Sequence, residues 1–189
     1  GTLTDSLTVR SVDGTTHQIT VTINGHDDGA VIAGVDSGTV TEDANLTADQ
    51  LETHGKLTIT DPDTGQDHFT AQTNVAGSYG TFSLDADGQW HYSADNSQTA
   101  IQQLKAGETL TDSITVQSVG GTTHTVTITI NGHDDGAVIA GVDSGTVTED
   151  ANLTAGQLET HGQLTISDPD AGQDHFTAQT NVAGSYGTL

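Results

Sequence analysis

The stretch GETLTDSITVQSVGGTTHTVTITINGHDD, Gly107 to Asp135, decides the fold. Val126, Ile128 and Ile130 alternate with Thr125, Thr127 and Thr129, the period of a strand with one apolar face. Working outward, Leu57 and Ile59 alternate with Thr58 and Thr60 in the same way. Phe82 and Leu84, then Trp90 and Tyr92, flank Asp85-Ala86-Asp87-Gly88, a turn sequence that reads as a hairpin. Seven strands are expected, near 36–41, 56–60, 66–73, 79–84, 89–93, 109–117 and 123–131. Ile101 with Leu104, and Leu46 with Leu51, sit at roughly helical spacing and predict one short helical turn in each of two longer connections. Seven short strands in about 100 residues predict an all-β fold, an antiparallel Greek-key β-sandwich.

The end of the same stretch occurs twice. Ile128 to Asp150 nearly duplicates Val21 to Asp43, and Asn24 aligns with Asn131, a period of 107 residues. Over the 82 aligned pairs 12 differ, and the apolar differences are mild: Leu7 against Ile114, Ile19 against Val126, Val21 against Ile128. A period of this size is that of a domain rather than of a solenoid unit sharing one core, so each repeat is expected to fold as its own bead. The expected organisation is the C-terminal part of a preceding repeat at 1–28, a complete repeat at 29–135, and the N-terminal part of a following repeat at 136–189. The two partial repeats together lack the counterpart of residues 83–107. Their order is therefore expected to depend on neighbouring repeats, with exchange of strands between partial pieces as one route.

The chain has 26 acidic and 3 basic residues, a formal net charge of −23 and no cysteine. Three cations cannot build the basic patch that a phosphate backbone requires, so nucleic acid is excluded as a partner. Without cysteine there are no disulfides, thiolate metal sites or thiol catalysis. No apolar run approaches the roughly 18 to 20 residues of a membrane span, and GTLTDSLTVR has neither part of a signal peptide. The stretch reads as soluble and not membrane-inserted, with any export address elsewhere. The acid is divided into small clusters, HDD, TED, DPDxGQD and LDADG, between threonine-rich strands.

In a sandwich whose strands alternate direction, successive loops fall at alternate ends of the bead. Glu42 and Asp43 then meet Asp134 and Asp135 of the linker and Asp168, Asp170 and Asp174 of the next repeat. At the other end, Asp27 and Asp28 meet Asp61, Asp63 and Asp67. Aspartate oxygens with interspersed carbonyls suit Ca²⁺, which takes about 6 to 8 oxygen ligands. Magnesium demands tighter octahedral geometry, and zinc would take histidine or cysteine. The plainer reading of Asp-Pro-Asp and Asp-Asp-Gly is as turn formers. Convergence from three separate regions is what favours calcium.

The series TVTEDANLTA, LTITDPDTGQDHFTAQ, GSYGTFSLDADGQWHYSADNS and LKAGETLTDSITVQSVGGTTHTVTITINGHDD resembles the VCBS repeat of very large bacterial surface proteins. The resemblance covers essentially all of one repeat and both partial ones. It implies a cadherin-like or immunoglobulin-like bead, tandem RTX-type adhesin arrays and type I secretion to the cell surface. By the same resemblance Glu42 corresponds to the first-strand glutamate of cadherins, Asp61 and Asp63 to the Asp-x-Asp pair, and Asp134 and Asp135 to the linker acids.

Two other classes of function were weighed against the residues. Glycoside hydrolysis needs two carboxylates facing across a cleft, whereas these lie in turns and at bead ends. Neither a GxSxG elbow nor an HExxH motif occurs. Eight of the nine histidines form four repeat pairs (His17/His124, His26/His133, His54/His161, His68/His175), with His91 alone, and all read better as solvated positions than as zinc ligands. A carbohydrate- or protein-binding sandwich of a secreted protein would need exposed aromatics, and Phe69, Tyr79, Phe82, Trp90 and Tyr92 fall at inward or turn positions. The sequence therefore predicts a non-catalytic spacer of a cell-surface adhesin, stiffened by Ca²⁺ at its junctions and serving adhesion or biofilm, with the binding module as the alternative.

Overall fold

The computed structural model describes residues 1–188. Its centre is two facing sheets. One carries β3 (Val31–Gly34), β5 (Gln50–Thr60), β8 (Gln89–Asp95), β7 (Thr81–Leu84) and β6 (Gln72–Ala76), in that order. The other carries β4 (Ser37–Thr41), β10 (Thr123–Asn131) and β9 (Thr109–Gln117). The alternation read in the sequence becomes the inward faces: Leu51, Leu57, Phe82, Leu84, Trp90, Tyr92 and Ala94 from one sheet, Val40, Ile114, Val116, Val126, Ile128 and Ile130 from the other, all buried. Phe82 and Trp90 stack with ring centroids 5.9 Å apart. The aromatic residues assigned to the core lie there, with Tyr79 partly buried against it.

The entering strand serves both sheets. β3 pairs antiparallel with β5, and two residues later β4 pairs parallel with β10, Ser37 opposite Thr127 and Thr41 opposite Asn131. This parallel pair departs from the all-antiparallel expectation, because the chain crosses between sheets before turning back. Gly34 makes the crossing possible: it sits at φ +104°, and a Cβ there would lie 2.6 Å from the Lys56 carbonyl. Val35, just past it, accepts a 2.7 Å hydrogen bond from the Trp90 indole through its carbonyl. Gly55 opposite leaves the space into which that indole fits, since a Cβ there would stand 2.5 Å from the ring.

The strands expected at 109–117 and 123–131 coincide with β9 and β10, paired antiparallel from Thr123↔Gln117 to Asn131↔Thr109. Two expectations need correction. The strand at 66–73 is not continuous: Phe69 bridges Ser118 at the edge of the smaller sheet, and the chain then crosses to form β6 in the larger one. The pairing of β6 with β7 is broken between Gln72 and Val75, where Asn74 takes φ 49°. No helical turn joins Leu46 to Leu51; Asp43, Asn45, Ala48 and Asp49 all have positive φ, and Leu51 is buried in β5, which starts at Gln50. Aspartate and asparagine tolerate the left-handed region that a tight loop needs, and the loop prevails over weak helical spacing. The other predicted turn exists as α1 (Thr99–Gln102), with Ile101 and Leu104 buried.

Sheet and loop are tied together by Asp112 on β9, which is 1 % exposed. Its carboxylate accepts hydrogen bonds from the N–H groups of Ser78 (2.7 Å), Tyr79 (3.0 Å) and Gly80 (3.3 Å) and from the Tyr92 hydroxyl (2.9 Å). Burial alone would raise its pKa. The Ser78 N–H, then those of Tyr79 and Gly80 together with the Tyr92 hydroxyl, offset that and hold the carboxyl below its ordinary value. Tyr92 is pushed upward, first by burial and then by Asp112.

On either side lie the duplicated segments. β1 (Thr2–Arg10) and β2 (Thr16–Asn24) form a hairpin matching β9–β10 in register, while β11 (Val138–Gly141) and β12 (Leu164–Ser167) match β3 with the end of β5. Leu3, Leu7, Ile19, Val21 and Ile23 are exposed, although Ile114, Val126, Ile128 and Ile130, the counterparts of the last four, are buried. A nearly identical sequence makes a hairpin of the same register, and the two differ in what packs against them.

Candidate functional site at the linker acids

The segment following β10 runs Gly132-His133-Asp134-Asp135 between the central sandwich and the Asp168–Asp174 loop. Glu42, the first residue after β4, is held at its start: its N–H donates to the Asn131 carbonyl (3.0 Å), and its Oε1 accepts from the His133 N–H (2.6 Å). The parallel β4–β10 pair ends one residue before, which is why these two positions meet. Glu42 is 0 % exposed, and its Oε2 has no hydrogen-bond partner. Burial, opposed by the His133 N–H, raises its pKa, and the charges of Asp135, Asp43 and Asp170 push it further in the same direction.

The next loop closes on the linker from the other side. The Asp135 N–H donates to Asp170 Oδ2 (2.7 Å), the Asp170 N–H to Asp168 Oδ1 (2.9 Å), and the Gln173 amide to Asp134 Oδ1 (2.7 Å). Asp170 is buried, and its Oδ1 is unpartnered. Asp135 has its pKa raised by burial and then by Asp43 and Asp170. Asp43 behaves oppositely. The Asn96 amide donates to its Oδ1 (2.6 Å), and this bond is the main cause that lowers its pKa.

The first linker repeats the pattern. Asp28 N–H donates to Asp63 Oδ2 (2.7 Å), Asp63 N–H to Asp61 Oδ1 (2.8 Å), and the Gln66 amide to Asp27 Oδ1 (2.7 Å). Asp61 Oδ2 is buried without a partner.

Of the residues expected to converge, Glu42, Asp43, Asp134, Asp135, Asp168 and Asp170 are joined by contacts or by mutual charge at the second linker, and Asp27, Asp28, Asp61 and Asp63 at the first. Asp67 and Asp174 are exposed and join neither set by a contact among the described residues; Asp67 lies 3.7 Å from its neighbour His68. Sequence reasoning missed Asn96, Gln66 and Gln173, which orient the acids. The two glutamines stand inside the DPDxGQD motif and were legible there as donors; Asn96, 53 residues from Asp43, gave no local signal.

An all-oxygen donor set, buried unpartnered oxygens on Glu42 and Asp170, and crowded negative charge fit a hard divalent cation. The ion pairs found among the described residues all involve histidine, one of them here, His133 Nδ1 to Asp135 Oδ1 at 3.9 Å, and no lysine or arginine stands within ion-pair distance of these acids. The ligand ring is not closed as the side chains stand. Among the described residues, no group of three or more histidine, aspartate or glutamate side chains is placed to hold a metal together. Several of these oxygens are instead engaged by backbone N–H groups and by Gln173.

Fold and site define a cadherin-type β-sandwich module, non-catalytic, with acids gathered at its ends. The chain belongs to the bacterial cadherin-like domain family, which it matches over residues 27–132, more than half its length. Comparison with curated proteins gives no match. Among the described residues no helix is long and apolar enough to cross a membrane.

Proposed function

We propose that this chain is part of a VCBS-type tandem array in an RTX-type bacterial surface adhesin, where repeats such as 29–135 act as extracellular spacers serving adhesion or biofilm. In this reading Ca²⁺ stiffens the junctions. The ligands at the second are drawn from Glu42, Asp43, Asp134, Asp135, Asp168, Asp170 and Asp174, and at the first from Asp27, Asp28, Asp61, Asp63 and Asp67. The observation that carries the proposal is Glu42, a fully buried carboxylate with a free oxygen among three other acids and no cationic partner. Such a group is costly to keep charged unless something positive meets it.

Bound calcium would supply that charge, and extracellular modules commonly bind it at about 10⁻⁴ to 10⁻³ M. The chain's own residues do the rest. Glu42 anchors the linker through the His133 N–H, Asp170 anchors it through the Asp135 N–H, and Gln173 sets the orientation of Asp134. A cation shared by these acids links both sides of the linker and removes their repulsion. Without it, the acids repel and the junction loosens, which suits passage through a narrow secretion channel.

The aromatic residues weigh against the carbohydrate- or protein-binding alternative, because Phe69, Phe82, Trp90 and Tyr92 are buried in the sandwich. The test is small-angle scattering and thermal melting of the chain with calcium and with chelator. We expect a longer particle and a higher melting temperature with calcium; equal lengths and equal melting temperatures would sink the proposal.

A further inference from the structure

Four positions of the larger sheet, His54, His91, Glu52 and Ser83, share its outer face, away from the linkers. Leu57 N–H donates to the Gly88 carbonyl (2.8 Å) and Asn96 N–H to the Asp49 carbonyl (3.1 Å) at the two ends of the β5–β8 ladder. The pairs in phase with these, Leu51↔Ala94, Thr53↔Tyr92 and Gly55↔Trp90, are thus the hydrogen-bonded ones and point inward. The outward pairs between them are non-hydrogen-bonded, the kind whose side chains stand closest. One of them is His54↔His91. Both imidazoles are exposed and line a shallow groove of about 520 Å³, with Ser83 opposite His91 on β7 and Gln72 and Gln89 at its sides.

Glu52, two residues from His54 on the same face, places Oε1 3.7 Å from His91 Nε2. That is too long for a hydrogen bond. It is close to the span of about 3.4 Å between two ligand atoms that each sit about 2.0–2.1 Å from a tetrahedral cation. His54 stands directly opposite His91 in the ladder, so the two rings rise from neighbouring positions of one face, and exposed rotamers interchange on a ps–ns timescale. Among the described residues no three such side chains are already gathered, so the proposed site forms by rearrangement of exposed rotamers on binding.

We propose that His54 and His91, with Glu52 as a third and weaker ligand, bind a late first-row divalent cation of the zinc–copper class across the β5–β8 pair. Imidazole nitrogen selects these ions over calcium. The face is separate from the linker acids, and the site stands whether or not those acids bind calcium. It also departs from the reading of His54 and His91 as merely solvated positions.

The test is titration of the chelator-washed chain with Zn²⁺ alone by calorimetry, and with Cu²⁺ alone by electron paramagnetic resonance to count nitrogen ligands. We expect one Zn²⁺ at this face and two coordinating nitrogens for Cu²⁺. His54→Ala and His91→Ala should each weaken binding by about 10²-fold, since the second ring binds intramolecularly, and Glu52→Gln by a few-fold. His133→Ala and His161→Ala should leave the affinity unchanged. These side chains are exposed, so circular dichroism should show each variant folded. Binding that survives His54→Ala or His91→Ala, that is lost instead in His133→Ala, or that is absent from the parent chain would overturn the proposal.

Discussion

Replacing Asp112 by alanine removes one acceptor and strands four donors. The N–H groups of Ser78, Tyr79 and Gly80 and the Tyr92 hydroxyl all end on this carboxylate. A hydrogen bond to a charged group contributes about 1.5–3 kcal/mol. The four are not additive, because the loop can turn some N–H groups to water, but Tyr92 is fully buried and cannot. Breaking a buried charged network costs about 3–5 kcal/mol, against a total of about 5–15 kcal/mol for a domain. At about 4–8 °C per kcal/mol for a domain of this size, the melting temperature should fall by roughly 12–40 °C. Trp90, the one tryptophan in the chain, is buried beside this network and reports unfolding in urea by fluorescence. A loss below about 1 kcal/mol would refute the reasoning, as would an equal loss in Asp112→Asn, which retains an acceptor oxygen. The pH dependence has a fixed sign. The folded pKa of Asp112 lies below the unfolded value of about 3.9. Its contribution is therefore full above that value and is lost as pH falls from there through the folded pKa. The difference between parent and Asp112→Ala should narrow only in that acidic range.

Three further outcomes follow from the geometry. Glu42→Gln removes a buried charge that has no positive partner, so the chain should melt at the same or a higher temperature in chelator, yet lose at least half of the parent's calcium-induced rise; an undiminished rise would remove Glu42 from the ligand set. Asn96→Asp puts a second carboxylate where an amide now donates to Asp43, and should destabilise the cation-free chain by about 1 kcal/mol, with partial recovery in calcium. Denaturant melts in both conditions decide it. Gly34→Ala brings a Cβ to 2.6 Å from the Lys56 carbonyl at φ +104° and should cost about 1–3 kcal/mol, with hydrogen exchange faster in β3 than in β10; uniform acceleration would mean that the crossing is not the point of strain.

Strands β9 and β10 were legible to the residue because threonine alternates there with β-branched apolar residues, and one face of the pair is buried while the other is not. β3 was not, since Val31-Ile32-Ala33-Gly34 is a short apolar run without alternation, and its partner lies about 25 residues on. The parallel pairing of β4 is likewise set by an element some 90 residues away, a contact that no local pattern encodes. The site divides in the same way. Acid clusters and their placement at the ends of the sandwich follow from composition and strand direction. The burial of Glu42 follows from β4 and β10 ending together, and the opposite behaviour of Asp43 chiefly from the Asn96 amide beyond the end of β8, with the Gln102 amide adding to it.

The parallel β4–β10 pair has a mechanical meaning. Traction on the two flanking segments draws β4 back toward Ser37 and β10 forward past Asn131, in opposite directions along one shared ladder. Five residue pairs then bear the force in shear, all at once, whereas a hairpin such as β9–β10 pulled from its open end parts one pair at a time. The crossing at Gly34 that creates this arrangement makes a small, sparsely apolar sandwich resist extension along its entry-to-exit axis more than an opened hairpin would.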